Sequence, residues 1–172
     1  LGSIFVWEQL EQPQNTGAGR WLAKGKLLTV ITDLHDGPII DLHFVGSKMI
    51  SSSTEGVINT WYISNPTTEP QKDPVIHICG AEMDSSHARS ICWNDHATHA
   101  MVGTTKNAIM KLDIEDSHAV GSSTAPPRIV LHSIVKSCQG KVRKLAPHPS
   151  LLMFACTSSA DKSIRIFESS TF

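Results

Sequence analysis

Asp95-His96-Ala97-Thr98-His99 sets two imidazoles and a carboxylate close together, the ligand types of a zinc site. A His-x-x-His pair needs a helical face or a third ligand to close on a metal. This one falls on a turn between two apolar runs and no third ligand follows, so it reads as a solvated hairpin and no metal is expected. His35 and His87 each precede a strand-like run; as general bases they would need a nucleophile, and no Gly-x-Ser-x-Gly is present. Both are read as bonding turn backbone. Gly17-Ala18-Gly19-Arg20 holds a Gly-x-Gly that opens no helix and meets no Lys-Ser/Thr, which makes it a loop and not a phosphate cradle. Thr104-Thr105-Lys106-Asn107 reads as a hairpin with Lys106-Asn107 at its tip. No catalytic residue, cofactor or metal is assigned, and the chain is expected not to be an enzyme. The remaining chemical feature is a basic cluster, Lys136, Lys141, Arg143 and Lys144, which is read as a contact for an acidic protein partner. Trp61, Tyr62 and Trp93 are read as packing rather than contact aromatics.

Composition narrows the partners. The 172 residues are 40% hydrophobic, 18% charged and 6% aromatic, a globular balance, with a formal net charge of −1. Nucleic acid and anionic membrane favour a basic excess that is missing here, and no apolar run is long enough for a spanning helix. Leu1 to Trp7 lacks the basic start of a signal peptide. Cys79, Cys92, Cys138 and Cys156 show no C-x-x-C spacing and sit in or beside apolar runs, as reduced cysteines of an intracellular protein do; one or two disulfides are the alternative.

The elements that must position these residues are short strands. Gly2–Glu8 and Leu27–Ile31 are the first, with a long polar loop, Gln9–Gly25, between them. Pro38–Phe44, Lys48–Ser53, Val57–Ile63 and Pro74–Cys79 follow. Next come Ala88–Trp93, His99–Thr105, Ala108–Ile114 and Arg128–Val135, and last Val142–Ala146, Leu151–Thr157 and Ser163–Phe167. Gly, Pro, Ser, Asn and Asp clusters separate them, and no helical period appears. Trp7, Trp61, Leu112 and Phe167 close the third strand of successive units at gaps of 54, 51 and 55 residues. Gly2–Trp7, Pro74–Cys79 and Leu151–Cys156 are apolar on both faces, as in strands covered from two sides. A four-strand unit repeating through an all-β chain predicts a β-propeller, with a β-sandwich or closed barrel as alternatives. The predicted units are 1–34 (the end of one blade plus the outer strand leading to the next), 35–86, 87–137, and 138–172 without an outer strand.

Taken blade by blade, the chain resembles WD40 repeats with eroded signatures. Trp7-Glu8, Trp61-Tyr62, Leu112-Asp113 and Phe167-Glu168 stand at the terminal Trp-Asp, and His35 and His87 at the Gly-His turn, which Gln139-Gly140 replaces in the last unit. Asp161 alone matches the turn acid of the WD40 tetrad. Val102-Gly103-Thr104-Thr105-Lys106-Asn107 and Leu145-Ala146-Pro147-His148-Pro149-Ser150 narrow the likeness. They are similar to consecutive blades of the echinoderm microtubule-associated protein-like (EMAP-like) family. The resemblance implies an incomplete WD40-type propeller of about three blades and part of a fourth, belonging to one larger propeller. It implies a non-enzymatic scaffold, with tubulin or microtubules as partner, in the cytoplasm, cytoskeleton or ciliary axoneme. The family's N-terminal coiled coil and the hydrophobic motif before its first propeller have no counterpart here, so independent attachment to the microtubule lattice is not implied. The alternatives are a general WD40 adaptor in another intracellular complex and, behind it, a propeller enzyme. The chain is expected to be an excerpt of a longer protein.

Overall fold

The computed structural model describes residues 2–9, 14–15, 21–22, 25–33, 35–64, 75–83, 87–94, 98–115, 126–136 and 138–171. Gly17–Arg20, and Asp95 and His96 of the His-x-x-His, lie outside these residues. In chain order the strands are β1 (Ile4–Gln9), β2 (Gln14–Asn15), β3 (Trp21–Leu22), β4 (Gly25–Ile31), β5 (Ile39–Val45), β6 (Lys48–Ser53), β7 (Val57–Ile63), β8 (Val75–Glu82) and β9 (Ala88–Trp93). They continue with β10 (His99–Thr104), β11 (Ile109–Glu115), β12 (Arg128–Val135), β13 (Val142–Pro147), β14 (Met153–Ser158) and β15 (Arg165–Glu168), and a 3-10 turn at Ser169–Thr171. All pairings are antiparallel and follow chain order: β1-β4, β5-β6-β7-β8, β9-β10-β11-β12 and β13-β14-β15, with β2-β3 as a separate hairpin. The stretch expected to be all loop therefore contains a short hairpin, in which Asn15 pairs with Trp21 and Gln14 with Leu22. Too short to show alternation, it carried no periodic signal.

Turn chemistry explains where the strands reverse. Gly56 and Asn107 both adopt the left-handed region, at φ 82° and 63°, where Gly pays no steric penalty and Asn is tolerated. Each stands two residues before the strand position paired across the hairpin, Ile58 with Ser52 and Ile109 with Gly103. The first strand of each sheet of three or four strands also carries a bulge at one register position. Ile39 pairs with Ser53 but Asp41 with Ser52; Ala88 pairs with Thr104 but Ser90 with Gly103; Val142 pairs with Ser158 but Lys144 with Thr157. Ile40, Arg89 and Arg143 are the extra residues, so Asp41, Ser90 and Lys144 become equivalent positions. A second bulge recurs in the outer strands, at Leu28, Ile78 and His132.

Sheets stack face to face in chain order. Ile4, Val6, Met49 and Trp61 fill the space between the first two. Ile50, Ile58, Ile91, Trp93, Val102 and Leu112 lie among the residues filling the next, and Met101, Ile109, Val142, Leu145, Phe154 and Cys156 the third. Successive residues of β10 thus enter different cores, Ala100 and Val102 one and Met101 the other, which is why that strand reads apolar throughout. β9 touches β5, β6 and β13, so the first strands of the sheets converge on one side. Trp61 and Leu112, equivalent in register, face the preceding sheet and are 2% and 4% exposed. Trp7 has the same register position with no sheet in front of it among the described residues, and is 60% exposed. Ile164 and Ile166, on the outward face of the last sheet, are 71% and 70% exposed.

Gly103 marks a close approach between two sheets. A Cβ there would run into the Val142 side chain from β13. Gly103→Ala is expected to lower stability by about 1–3 kcal/mol, read by urea denaturation; an unchanged midpoint would mean that β10 and β13 do not pack in this way.

Candidate functional site

The first strands of three sheets are joined by a polar relay at their bulge positions. Ser90 donates its hydroxyl hydrogen to Asp41 Oδ2 at 2.7 Å and accepts the Leu145 N–H at 3.0 Å. Asp41 Oδ2 also accepts the Ile91 N–H at 3.0 Å, and Lys144 Nζ lies 2.8 Å from both carboxylate oxygens. Two residues further along the same two strands, Trp93 N–H donates to His43 Nδ1 at 3.1 Å. Burial pushes the Asp41 carboxyl up, but the Lys144 ammonium and the Ile91 and Ser90 donors outweigh it and hold the group below the usual carboxylate range. Burial drives His43 the other way, below its ordinary value, which suits a neutral ring accepting from backbone. The Lys144–Asp41 pair is asymmetric: the carboxylate is 13% exposed and the lysine 60%. Solvent at the lysine end keeps its contribution within about 1 kcal/mol, whereas a buried donor left without Asp41 costs about 1–3 kcal/mol. The relay is therefore held by its hydrogen bonds to buried groups more than by its ion pair.

This geometry changes the reading of the basic cluster. Lys144 is engaged by Asp41, from a strand 103 residues earlier. Lys136, Lys141 and Arg143 remain exposed, Arg143 as the bulge residue of β13. The nearby acid is occupied. Asp161 Oδ2 accepts the Gln139 N–H at 3.3 Å and pairs with Arg165 Nε at 3.0 Å, and these contacts, the backbone donor first, hold it below the usual range.

A second network surrounds His35. Trp61 Nε1 donates to Ser51 Oγ at 2.9 Å, and Ser51 Oγ lies 2.7 Å from His35 Nε2. Asn59 Nδ2 reaches the same ring nitrogen at 3.4 Å, while His77 Nε2 lies 3.1 Å from Asn59 Oδ1. Asn59 Nδ2 can only donate, so His35 Nε2 takes the acceptor role and the ring proton is assigned to Nδ1; that nitrogen is buried with no partner among the described residues. His35 therefore bonds a strand serine and not turn backbone as expected, and its unpartnered nitrogen matches the missing turn acid. His87 is exposed and contributes its carbonyl, which accepts the Thr105 N–H at 3.1 Å. Asp113 is gripped by His99 Nδ1 at 2.6 Å and His132 Nδ1 at 2.9 Å. Burial raises its pKa, but both rings outweigh that and lower it. Phe167 stacks on Phe154 with ring centroids 5.3 Å apart. No cluster of three metal-ligating groups occurs among the described residues. Asp41, Ser90, Ser51 and Asn59 escaped sequence reasoning because single polar residues in apolar strands carry no spacing signal.

Burial, and behind it the neighbouring His77, hold His35 below its ordinary value. The unfolded chain therefore takes up a proton near pH 6.5 that the folded ring refuses. Stability is constant above that value and falls as pH drops from there towards the folded pKa. Urea denaturation at stepped pH is expected to show this decline, and His35→Gln to flatten it; equal slopes would contradict the neutral assignment. His43 and His77, lowered in the same direction, keep the variant's slope above zero.

No protein-family model and no curated protein sequence matches the chain. Solved structures do. The β-propeller domain of Cps50 (Swd1) from Myceliophteria thermophila superposes with a TM-score of 0.65 at 11% identity, covering 83% of this chain and 41% of that one. U3-55K gives 0.58 at 14% identity, covering 80% and 38%. The chain thus spans about two fifths of the propellers it matches. Sheets stacked in chain order, first strands converging on one side and these likenesses define one architecture: the chain is an incomplete β-propeller of the WD40 type.

Proposed function

We propose that this chain is part of a non-enzymatic WD40 scaffold that works by protein–protein contacts, and that its partner is the microtubule. Residues 35–86 and 87–137 each supply one blade, 138–172 a blade without its outer strand, and 1–34 the end of the blade before them. Support for the family setting comes from the likeness of Val102–Asn107 and Leu145–Ser150 to EMAP-like blades. Both stretches serve the fold. Val102 is buried and Asn107 makes the hairpin, while His148 Nδ1 accepts the N–H groups of Ser150 and Leu151 at 3.2 and 3.1 Å. They explain the architecture and leave the contact to other residues.

The observation that carries the contact is the basic corner before and within β13. Lys136, Lys141 and Arg143 are exposed, whereas Asp161 is committed to Arg165 and Gln139, and Asp41 to Lys144. With the local carboxylates so occupied, the corner presents positive charge, complementary to the acidic surface of tubulin. Lys144 is left out of this set because its charge is balanced within the relay.

Co-sedimentation of the intact protein with microtubules tests this reading. Binding is expected to weaken with salt and by about tenfold in a variant carrying Lys136→Glu, Lys141→Glu and Arg143→Glu. Unchanged pelleting of that variant would remove the corner. A pull-down rich in other proteins and free of tubulin would favour an adaptor in a different complex.

A further inference from the structure

The sulfurs of Cys138 and Cys156 lie 3.3 Å apart, and the two are not joined in a disulfide. Their place in the sheet is informative. Ile39 pairs with Ser53 and Val142 with Ser158, so the two sheets align at these pairs. Four residues before Ile39 is His35, and four before Val142 is Cys138; two before Ser53 is Ser51, and two before Ser158 is Cys156. The thiol pair therefore occupies the position of the His35–Ser51 hydrogen bond, which ties the segment ahead of β5 to β6 at 2.7 Å. A thiol–thiol contact is a weak substitute for that bond, since sulfur is a poor donor and a poor acceptor.

We propose that Cys138 and Cys156 form a reversible disulfide, a covalent counterpart of the His35–Ser51 bond that braces the segment ahead of β13 to β14. The two segments are already in register. Ser158 Oγ donates to the Gln139 carbonyl at 2.6 Å, and Lys141 N–H donates to Ser159 Oγ at 2.9 Å, so the sulfurs can close without a strand slipping. The co-reactant is a small disulfide such as oxidised glutathione. Cys138, half-buried in the turn, attacks it as thiolate and expels one glutathione thiolate, leaving a mixed disulfide. Cys156 then loses its proton and attacks the Cys138 sulfur, forming the protein S–S bond and expelling the second glutathione. Two protein thiols are oxidised, one glutathione disulfide is reduced, and the two protons end on the two glutathione thiols. The order follows from burial: Cys156 is 2% exposed, and burial, with the Cys138 sulfur beside it, pushes its thiol up to about 12, so it is the resolving and not the attacking group. Cys79 and Cys92 take no part. Cys79 Sγ meets Thr60 Oγ1 at 3.1 Å, and burial likewise pushes Cys92 up to about 12.

The test is peptide mapping of the intact protein after equilibration in glutathione buffers of increasing oxidised fraction, with free thiols alkylated after unfolding. The expected product is one linked peptide pair, Cys138 to Cys156, lighter by two hydrogens, with Cys79 and Cys92 alkylated. Dithiothreitol should reverse it and lower the melting temperature of the oxidised protein. Cys138→Ser should leave Cys156 alkylatable at every buffer composition. A persistent glutathione adduct on Cys138, or full alkylation of Cys156 in the most oxidising buffer, would overturn the proposal. The wild-type mapping decides the matter without the variant should Cys138→Ser fail to fold.

Discussion

The hydroxyl of Ser90 is the contact on which the arrangement of sheets depends. Fully buried, it donates to Asp41 in the sheet before it and accepts the Leu145 amide of the sheet after it. Apolar faces alone would let neighbouring sheets slide, because burial is non-directional. A buried hydroxyl tolerates no such freedom, since a small slip leaves a donor unpaired in a medium where that costs about 1–3 kcal/mol. The bulges at Ile40, Arg89 and Arg143 place Asp41, Ser90 and Lys144 at one level, so the same local irregularity that ends simple alternation also makes the relay.

Around that relay the packing follows one rule. The third-strand position held by Trp61, Leu112 and Phe167 faces the preceding sheet, and what covers it decides its exposure. Trp61 lies against Ile4 and Val6 of the first sheet, whereas Trp7, at the same register, faces outward with Phe5. Around His35 the polar residues are bonded as a set, and the orphan there, Nδ1, lies where the turn acid is absent; Ser52 Oγ, Ser53 Oγ and Trp93 Nε1 are likewise buried with no hydrogen-bond partner among the described residues. In the last sheet the same place is held by two thiols, which turns a fixed hydrogen bond into a redox-addressable contact.

Much of the fold was legible in the chain. Strand positions followed from short apolar runs between Gly, Asn and Ser-rich turns, and the even return of Trp7, Trp61, Leu112 and Phe167 carried the repeat. The site was less legible, for a physical reason. Val142 and Leu145 are both buried three residues apart, which a two-residue period forbids and the bulge at Arg143 creates. Lys144 consequently reads as an exposed member of a basic cluster, while its charge is spent on Asp41 two sheets away. Ser51 as the partner of His35, and the meeting of Cys138 with Cys156, depend likewise on strand register. The hairpin Gln14–Asn15 and Trp21–Leu22 was too short to announce itself.

Amide hydrogen exchange resolved at Ile91 and Leu145 addresses the relay most directly. Both N–H groups are bonded to side chains of a neighbouring element, Ile91 to Asp41 and Leu145 to Ser90. The account predicts slow exchange at both in the wild type. In Ser90→Ala the Leu145 amide should exchange much faster, while Ile91, still bonded to Asp41, loses less protection. Equal protection of Leu145 in the two proteins would contradict the claim that the Ser90 hydroxyl holds these sheets together.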